Sequence, residues 1–148
     1  MSAAGYFEER QLHYPKVLRI LLEKIVKIPA RLTPYLLILA GGFTGAVLRY
    51  FVDEQIPSLP GTLVVNFTGC FLMGVFMYES IYIGAFGRNT RIFFGIGVIG
   101  AFTTFSALAV QSFAAGPVTG LLSLSANLLL GFAGILAGRH LISFQRGS

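Results

Sequence analysis

The sequence has no tryptophan, a single cysteine and only six acidic residues among 148. The lone Cys70 excludes an internal disulfide and any multi-cysteine metal site. Charge of either sign is scarce: Asp, Glu, Lys and Arg make up 11% of positions, where a soluble domain carries roughly a quarter. So few charges could not keep a water-exposed surface of this size wet. Apolar residues are abundant at 55% of the chain, and there are 18 glycines. That balance is the composition of a membrane protein. The 11 basic residues give a net charge of +5, and most of the excess falls in the first 31 positions. A basic front end on an apolar chain points to an anionic membrane surface before nucleic acid.

Charge-free windows of about twenty residues mark helices long enough to cross the hydrocarbon core. Four such spans are expected, over Tyr35–Val52, Thr62–Tyr78, Ile92–Ala115 and Val118–Gly138. Their boundaries carry stop signals: Pro34, then Asp53 and Glu54 with Pro57 and Pro60, then Arg88 to Arg91, Gly116-Pro117, and Arg139-His140. Short connections make neighbouring helices antiparallel. Small residues recur four apart, as Gly41/Gly45, Cys70/Gly74, Gly97/Ala101 and Gly134/Gly138. That spacing lines one helix stripe and lets backbones approach closely, which is how helices associate in lipid. Four short helices enclose little volume, so a water-filled pathway calls for a second subunit.

Three segments follow: a basic extension over residues 1–34, a four-span domain over 35–140 and a tail over 141–148. Between Pro15 and Pro29, Leu18, Leu21, Leu22, Ile25 and Ile28 share one helical face, with Lys16, Arg19, Glu23 and Lys27 opposite. The pattern suits an interfacial helix lying on the membrane or a solvated tail, and not a cleavable signal peptide.

Polar groups at bilayer depth cost free energy, so they mark candidate function. The central parts of the four spans hold no Asp, Glu, Lys or His; Glu79 and Arg49 lie near span ends. Proton-coupled carriers and intramembrane hydrolases need a titratable group or metal ligands at depth, so neither they nor any other enzyme is expected. A small multidrug-type antiporter, which also has four short spans, needs a carboxylate in the first, and Tyr35–Val52 has none. The polar residues that remain are neutral: Asn66, Thr68, Thr103, Thr104, Ser106, Gln111, Ser112, Ser123, Ser125 and Asn127. They can replace an ion's hydration shell without trapping it, or bond helices together.

The third span contains Gly95, Gly97 and Gly100 followed by Thr103 and Thr104, all weak helix formers, near the middle of an apolar run. Either the helix breaks there and frees carbonyl oxygens as cation ligands, or the threonine hydroxyls bond back one turn and the helix bends.

Three stretches in series, residues 41–50 (GGFTGAVLRY), 61–69 (GTLVVNFTG) and 100–106 (GAFTTFS), resemble the Fluc (CrcB) family of fluoride channels. The similarity covers about residues 35 to 140. It implies an all-α membrane protein of four transmembrane helices with a break in the third. It also implies an antiparallel, dual-topology dimer that passes fluoride passively through two pores beside a central structural sodium ion. By position, Asn66 matches the family's pore asparagine and Phe105 its first pore phenylalanine. Thr104 and Ser106 belong to the same motif, and Arg49 matches the arginine ending the first span. Gly100 and Thr103 match the positions whose backbone carbonyls hold the sodium. Fluoride is small and strongly hydrated, so close N–H and O–H donors must replace its water. The edge of an aromatic ring is positive and can favour an anion. Arg49 either draws anions into a vestibule or snorkels to the interface.

Two features depart from the family. Leu108 stands where a second phenylalanine is usual. Arg10, Lys16, Arg19, Lys24, Lys27, Arg31, Arg88, Arg91, Arg139 and Arg146 all fall on the side of the N-terminus. The positive-inside rule then predicts one fixed orientation with both termini cytoplasmic, whereas a dual-topology chain wants balanced charge. Two assemblies are compatible with this: a homodimer, or a heterodimer with a related, oppositely oriented subunit in which this chain is non-conducting or partly degenerate. The expected role is fluoride export across the plasma membrane, driven by a negative interior and needing no coupling.

Overall fold

In the computed structural model the described residues are 31–146. The helix expected between Pro15 and Pro29 lies outside them. The regular structure among the described residues is all helical, with no strand. Helix α1 spans Thr33–Gln55 and α2 spans Leu59–Ile81. The third span, Arg88–Ala114, is composite: a turn, α3 (Arg88–Thr90), a π-helical run (Arg91–Ile99), a turn, α4 (Gly100–Phe102), and α5 (Phe105–Ala114). Helix α6 spans Pro117–Arg146. All four spans are long and apolar enough to cross a membrane. Even the shortest, with 23 residues, reaches about 34 Å at ~1.5 Å per residue, against a core of about 30 Å. The chain is a multi-pass membrane protein.

The helices outrun the charge-free windows. Helix α1 carries on through Asp53 and Glu54, and α6 runs past Gly138 through Arg139 to Arg146. Backbone hydrogen bonding does not stop where hydrocarbon does, and charged side chains there can reach water. Pro34, Pro60 and Pro117 do not sit outside the helices; each lies in a first turn, where the missing N–H would have had no partner anyway. The links are tight. Ser58 takes φ 70° just before α2, and Gly116 takes φ 86° just before α6, a left-handed position that suits glycine.

Close backbone approach explains the small-residue pairs. A Cβ at Gly41 or Gly45 would strike the Phe93 or Val98 carbonyl, so these two glycines seat α1 on the π-helical run. They are the only buried residues of α1. The main pairing is α2 on α6, where a Cβ at Gly138 would strike the Phe71 carbonyl and one at Gly74 the Ile135 carbonyl. Among the described residues only Val65, Ile99 and Leu108 are buried large apolar side chains. Others stay on the surface, Phe113 at 91% exposure among them. Such a surface is stable where the solvent is lipid and association relies on shape and hydrogen bonds.

Candidate functional site

The middle of the third span departs from helical geometry over two residues. Thr103 (φ −73°, ψ 156°) and Thr104 (φ −149°, ψ 117°) are extended, between the end of α4 and the start of α5. Both alternatives for the threonines have a counterpart here. Thr103 Oγ1 donates back to the Ile99 carbonyl at 3.2 Å. Thr104 instead caps α5, its Oγ1 accepting from the Ala107 N–H at 3.2 Å and lying 3.3 Å from Ser106 Oγ.

Asn66 of α2 holds this extended pair. Its Oδ1 accepts the Thr104 N–H at 2.8 Å, and its Nδ2 donates to the Thr104 carbonyl at 3.1 Å. The same Nδ2 donates to Asn127 Oδ1 of α6 at 3.0 Å, and Asn127 Nδ2 donates to the Ser123 carbonyl at 3.1 Å. Thr104 and Asn127 are buried, at 7% and 6% exposure. Both N–H groups of Asn66 are thus engaged. Satisfaction of every member is what makes a buried polar network rigid.

Two carbonyls lose their helical partners to this network. An uninterrupted α-helix would give the Thr104 N–H to the Gly100 carbonyl and the Ala107 N–H to the Thr103 carbonyl. Here the first goes to Asn66 Oδ1 and the second to Thr104 Oγ1. Gly100 lies at the exposed surface of the chain.

An open groove of about 460 Å³ leads away from this network, lined by Arg49 and Asp53 of α1 and by Thr104, Ser106, Val110 and Gln111. Arg49 is half-buried. The Gln111 Oε1 accepts from Thr62 Oγ1 at 2.7 Å, and its Nε2 has no hydrogen-bond partner in the described structure. The groove therefore offers an N–H donor, hydroxyls and one guanidinium, balanced by the Asp53 carboxylate. Arg49, Thr104 and Ser106 come together around it, and Asn66 stands behind Thr104, bonded to its backbone. Phe105 does not line it; its ring is 70% exposed on the outer face of α5. Leu108, one turn on, is turned inward at 2% exposure. Asn127 and Gln111 appear in the sequence only as two among ten neutral polar residues. The four-residue step from Ser123 to Asn127 puts both on one side of α6, but nothing in the sequence says which way that side faces.

Residues 36–139 match the family model described as CrcB-like protein, Camphor Resistance (CrcB). The chain belongs to the CrcB family. Curated relatives include the fluoride-specific ion channel FluC 1 of Methanospirillum hungatei, 52% identical over 108 residues, covering 73% of this chain and 77% of the relative. The fluoride-specific ion channel FluC 2 of Methanosarcina barkeri is 45% identical over 111 residues, 75% of this chain and 88% of the relative. A second protein of that organism, fluoride-specific ion channel FluC 3, is 46% identical over 83 residues, 53% of this chain and 63% of the relative. The family match takes in α1 almost from its start and ends at Arg139, so the groove and the Asn66 network lie wholly within this CrcB region.

Proposed function

We propose that this CrcB protein is a fluoride channel that lets the ion leave the cytoplasm passively, in keeping with the activity its relatives are named for. The observation that carries the reading is the set of neutral donors around the extended Thr103-Thr104 pair: Thr104 and Ser106 hydroxyls, the Gln111 amide and, one bond behind them, Asn66. Neutral donors can strip and replace fluoride's water without the trap a fixed full charge would set. Arg49 at the groove raises the local anion concentration. Asn66 acts first by fixing the Thr104 backbone, and meets the ion only if one of its N–H bonds is exchanged.

Under this proposal the functional unit is an antiparallel dimer with two pores and a structural Na+ at its centre. The small buried core and the exposed ring of Phe105 support a partner copy against α5. The carbonyls of Gly100 and Thr103, deprived of their helical donors, fit a hard cation, which prefers uncharged or charged oxygen ligands. Among the described residues no cluster of His, Cys, Asp or Glu offers an alternative metal site. Two carbonyls from one chain are too few for a full shell, so a second copy has to bring its own. When bound, the ion would tie two chains together and add positive potential beside the anion path.

A second reading, a heterodimer with a related subunit, is favoured by relatives that occur in numbered sets. Methanosarcina barkeri has a FluC 2 and a FluC 3, and Methanosarcina acetivorans a FluC 1 and a FluC 2. Liposome efflux read with a fluoride electrode decides. Fluoride flux without chloride flux from the purified chain alone supports the homodimeric channel. Flux only after adding a related subunit supports the heterodimer, and no flux in either case defeats the proposal.

A further inference from the structure

A second groove, unrelated to the ion path, opens between α2 and the beginning of the third span. It has a volume of about 310 Å³, with walls from Met73, Met77, Ile92 and Ile96 and with Arg88 and Arg91 at its mouth. Its floor is Phe76, whose ring stacks on Phe86 at 5.0 Å and lies 6.3 Å from Phe94. Gly95 lets that ring sit close, since a Cβ there would come within 3.3 Å of it. The apolar part of the groove is therefore built by fixed aromatic packing and does not depend on a ligand for its shape.

The two arginines stand three residues apart and so share one helix face. Both are exposed, and neither has an ion-pair partner among the described residues. They lie at the membrane face where α2 ends and α6 ends, because Arg139 of α6 sits 5.9 Å from the ring of Tyr82, just after α2. This is the basic side of the four-span domain. From Arg91 to Ile96 the groove runs about one turn of the π-helical stretch toward the bilayer centre. Positive charge thus stands at headgroup depth and greasy walls run below it.

We propose that this groove is a binding site for one anionic phospholipid, its phosphodiester held by Arg88 and Arg91 and the upper part of one hydrocarbon chain lying between Met73, Met77, Ile92 and Ile96. Charge complementarity selects this occupant. Guanidinium groups match phosphate oxygens with paired N–H donors, and a basic pocket between spans is the kind of site that retains acidic headgroups. A second copy in the same orientation would bring the same unpaired cations to the same place and be repelled. The site is independent of whether the protein conducts fluoride.

The test uses the full chain in vesicles of phosphatidylcholine and phosphatidylglycerol in equal parts, followed by native mass spectrometry. The wild-type chain is expected to retain phosphatidylglycerol in preference to phosphatidylcholine. The Arg88→Gln/Arg91→Gln pair should lose that preference by roughly 30-fold, and the Arg88→Lys/Arg91→Lys pair, which keeps the charge and gives up the paired donors, should keep part of it, which controls for folding. Met73→Trp, which fills the groove and leaves both arginines in place, should lower retention of the same lipid. Unchanged preference in the glutamine pair would overturn the proposal. So would displacement of the lipid by inorganic phosphate at equal concentration, because the chain contact would then contribute nothing. Disulfide trapping between two chains through Met77→Cys in a Cys70→Ser background, in phosphatidylglycerol membranes, would overturn it as well by putting a second copy on the groove.

Discussion

Asn66 and Thr104, 38 residues apart in the chain, exchange two hydrogen bonds of 2.8 and 3.1 Å as if they were paired across a β-ladder. A side-chain amide has the same donor and acceptor as a peptide group. It therefore satisfies, at membrane depth, the second of the two residues whose own backbone has left the helix.

Replacing that amide should be costly for structure as well as for flux. Asn66→Ala strands the buried Thr104 N–H, worth about 1–3 kcal/mol when unsatisfied, and takes one donor from a carbonyl that, at the N-cap of α5, keeps the helix's first backbone bond. The expected result is a loss of about 1–3 kcal/mol of stability together with loss of fluoride efflux. Thermal unfolding in detergent beside electrode-recorded efflux measures both. A variant of normal stability would show that Asn66 does not hold Thr104.

Asn127 should be energetically coupled to Asn66. In a double-mutant cycle with Asn66→Ala and Asn127→Ala, the coupling is expected at about 0.5–2 kcal/mol, because both changes remove the same 3.0 Å bond. Strict additivity in the unfolding free energies would mean that the bond has no net worth.

Thr104→Val removes the cap of α5 but preserves shape. A loss of about 1 kcal/mol is expected, with faster hydrogen exchange at Ala107, and Thr104→Ser should restore both. Equal exchange at Ala107 in all three proteins would contradict the capping role.

Neighbouring glycines of α1 should respond differently to one methyl group. At Gly45 the new Cβ meets the Val98 carbonyl, whereas at Gly42 its nearest neighbour is the Ala101 Cβ at an ordinary 4.0 Å. Gly45→Ala is expected to cost about 1–3 kcal/mol and Gly42→Ala close to nothing. Comparable melting temperatures for the two variants would place α1 elsewhere.

Gln111→Leu deletes the groove's amide donor without altering charge. Fluoride efflux should fall about tenfold while Thr62, left without its acceptor, costs about 1 kcal/mol. Efflux equal to wild type in a correctly folded protein would remove Gln111 from the ion path.

The four spans were legible because charge-free windows and glycine spacing follow directly from the physics of lipid. Gly41, Gly45 and Gly138 sit at close backbone contacts for the reason their spacing suggested. Helix ends were less legible: Pro34, Pro60 and Pro117 read as boundaries, but a first turn accepts proline, so α1, α2 and α6 begin at or just before them. Asn66 stood out as a polar group at depth. Its engagement with Thr104 and Asn127 did not, since direction and pairing across 38 and 61 residues depend on helix rotation, which an uncharged span leaves undetermined. The inward turn of Leu108 beside the outward Phe105 was hidden for the same cause.

The seating of α1 on two glycines has a mechanical consequence. A helix fastened by surface fit alone, with Gly41 and Gly45 as its only enclosed residues, has no rigid crosslink to resist tilt. Changes in bilayer thickness would therefore rock α1 about that fulcrum and move Arg49, about three-quarters of the way along it, relative to Ser106. Lipid chain length thus becomes a dial on the mouth of the groove.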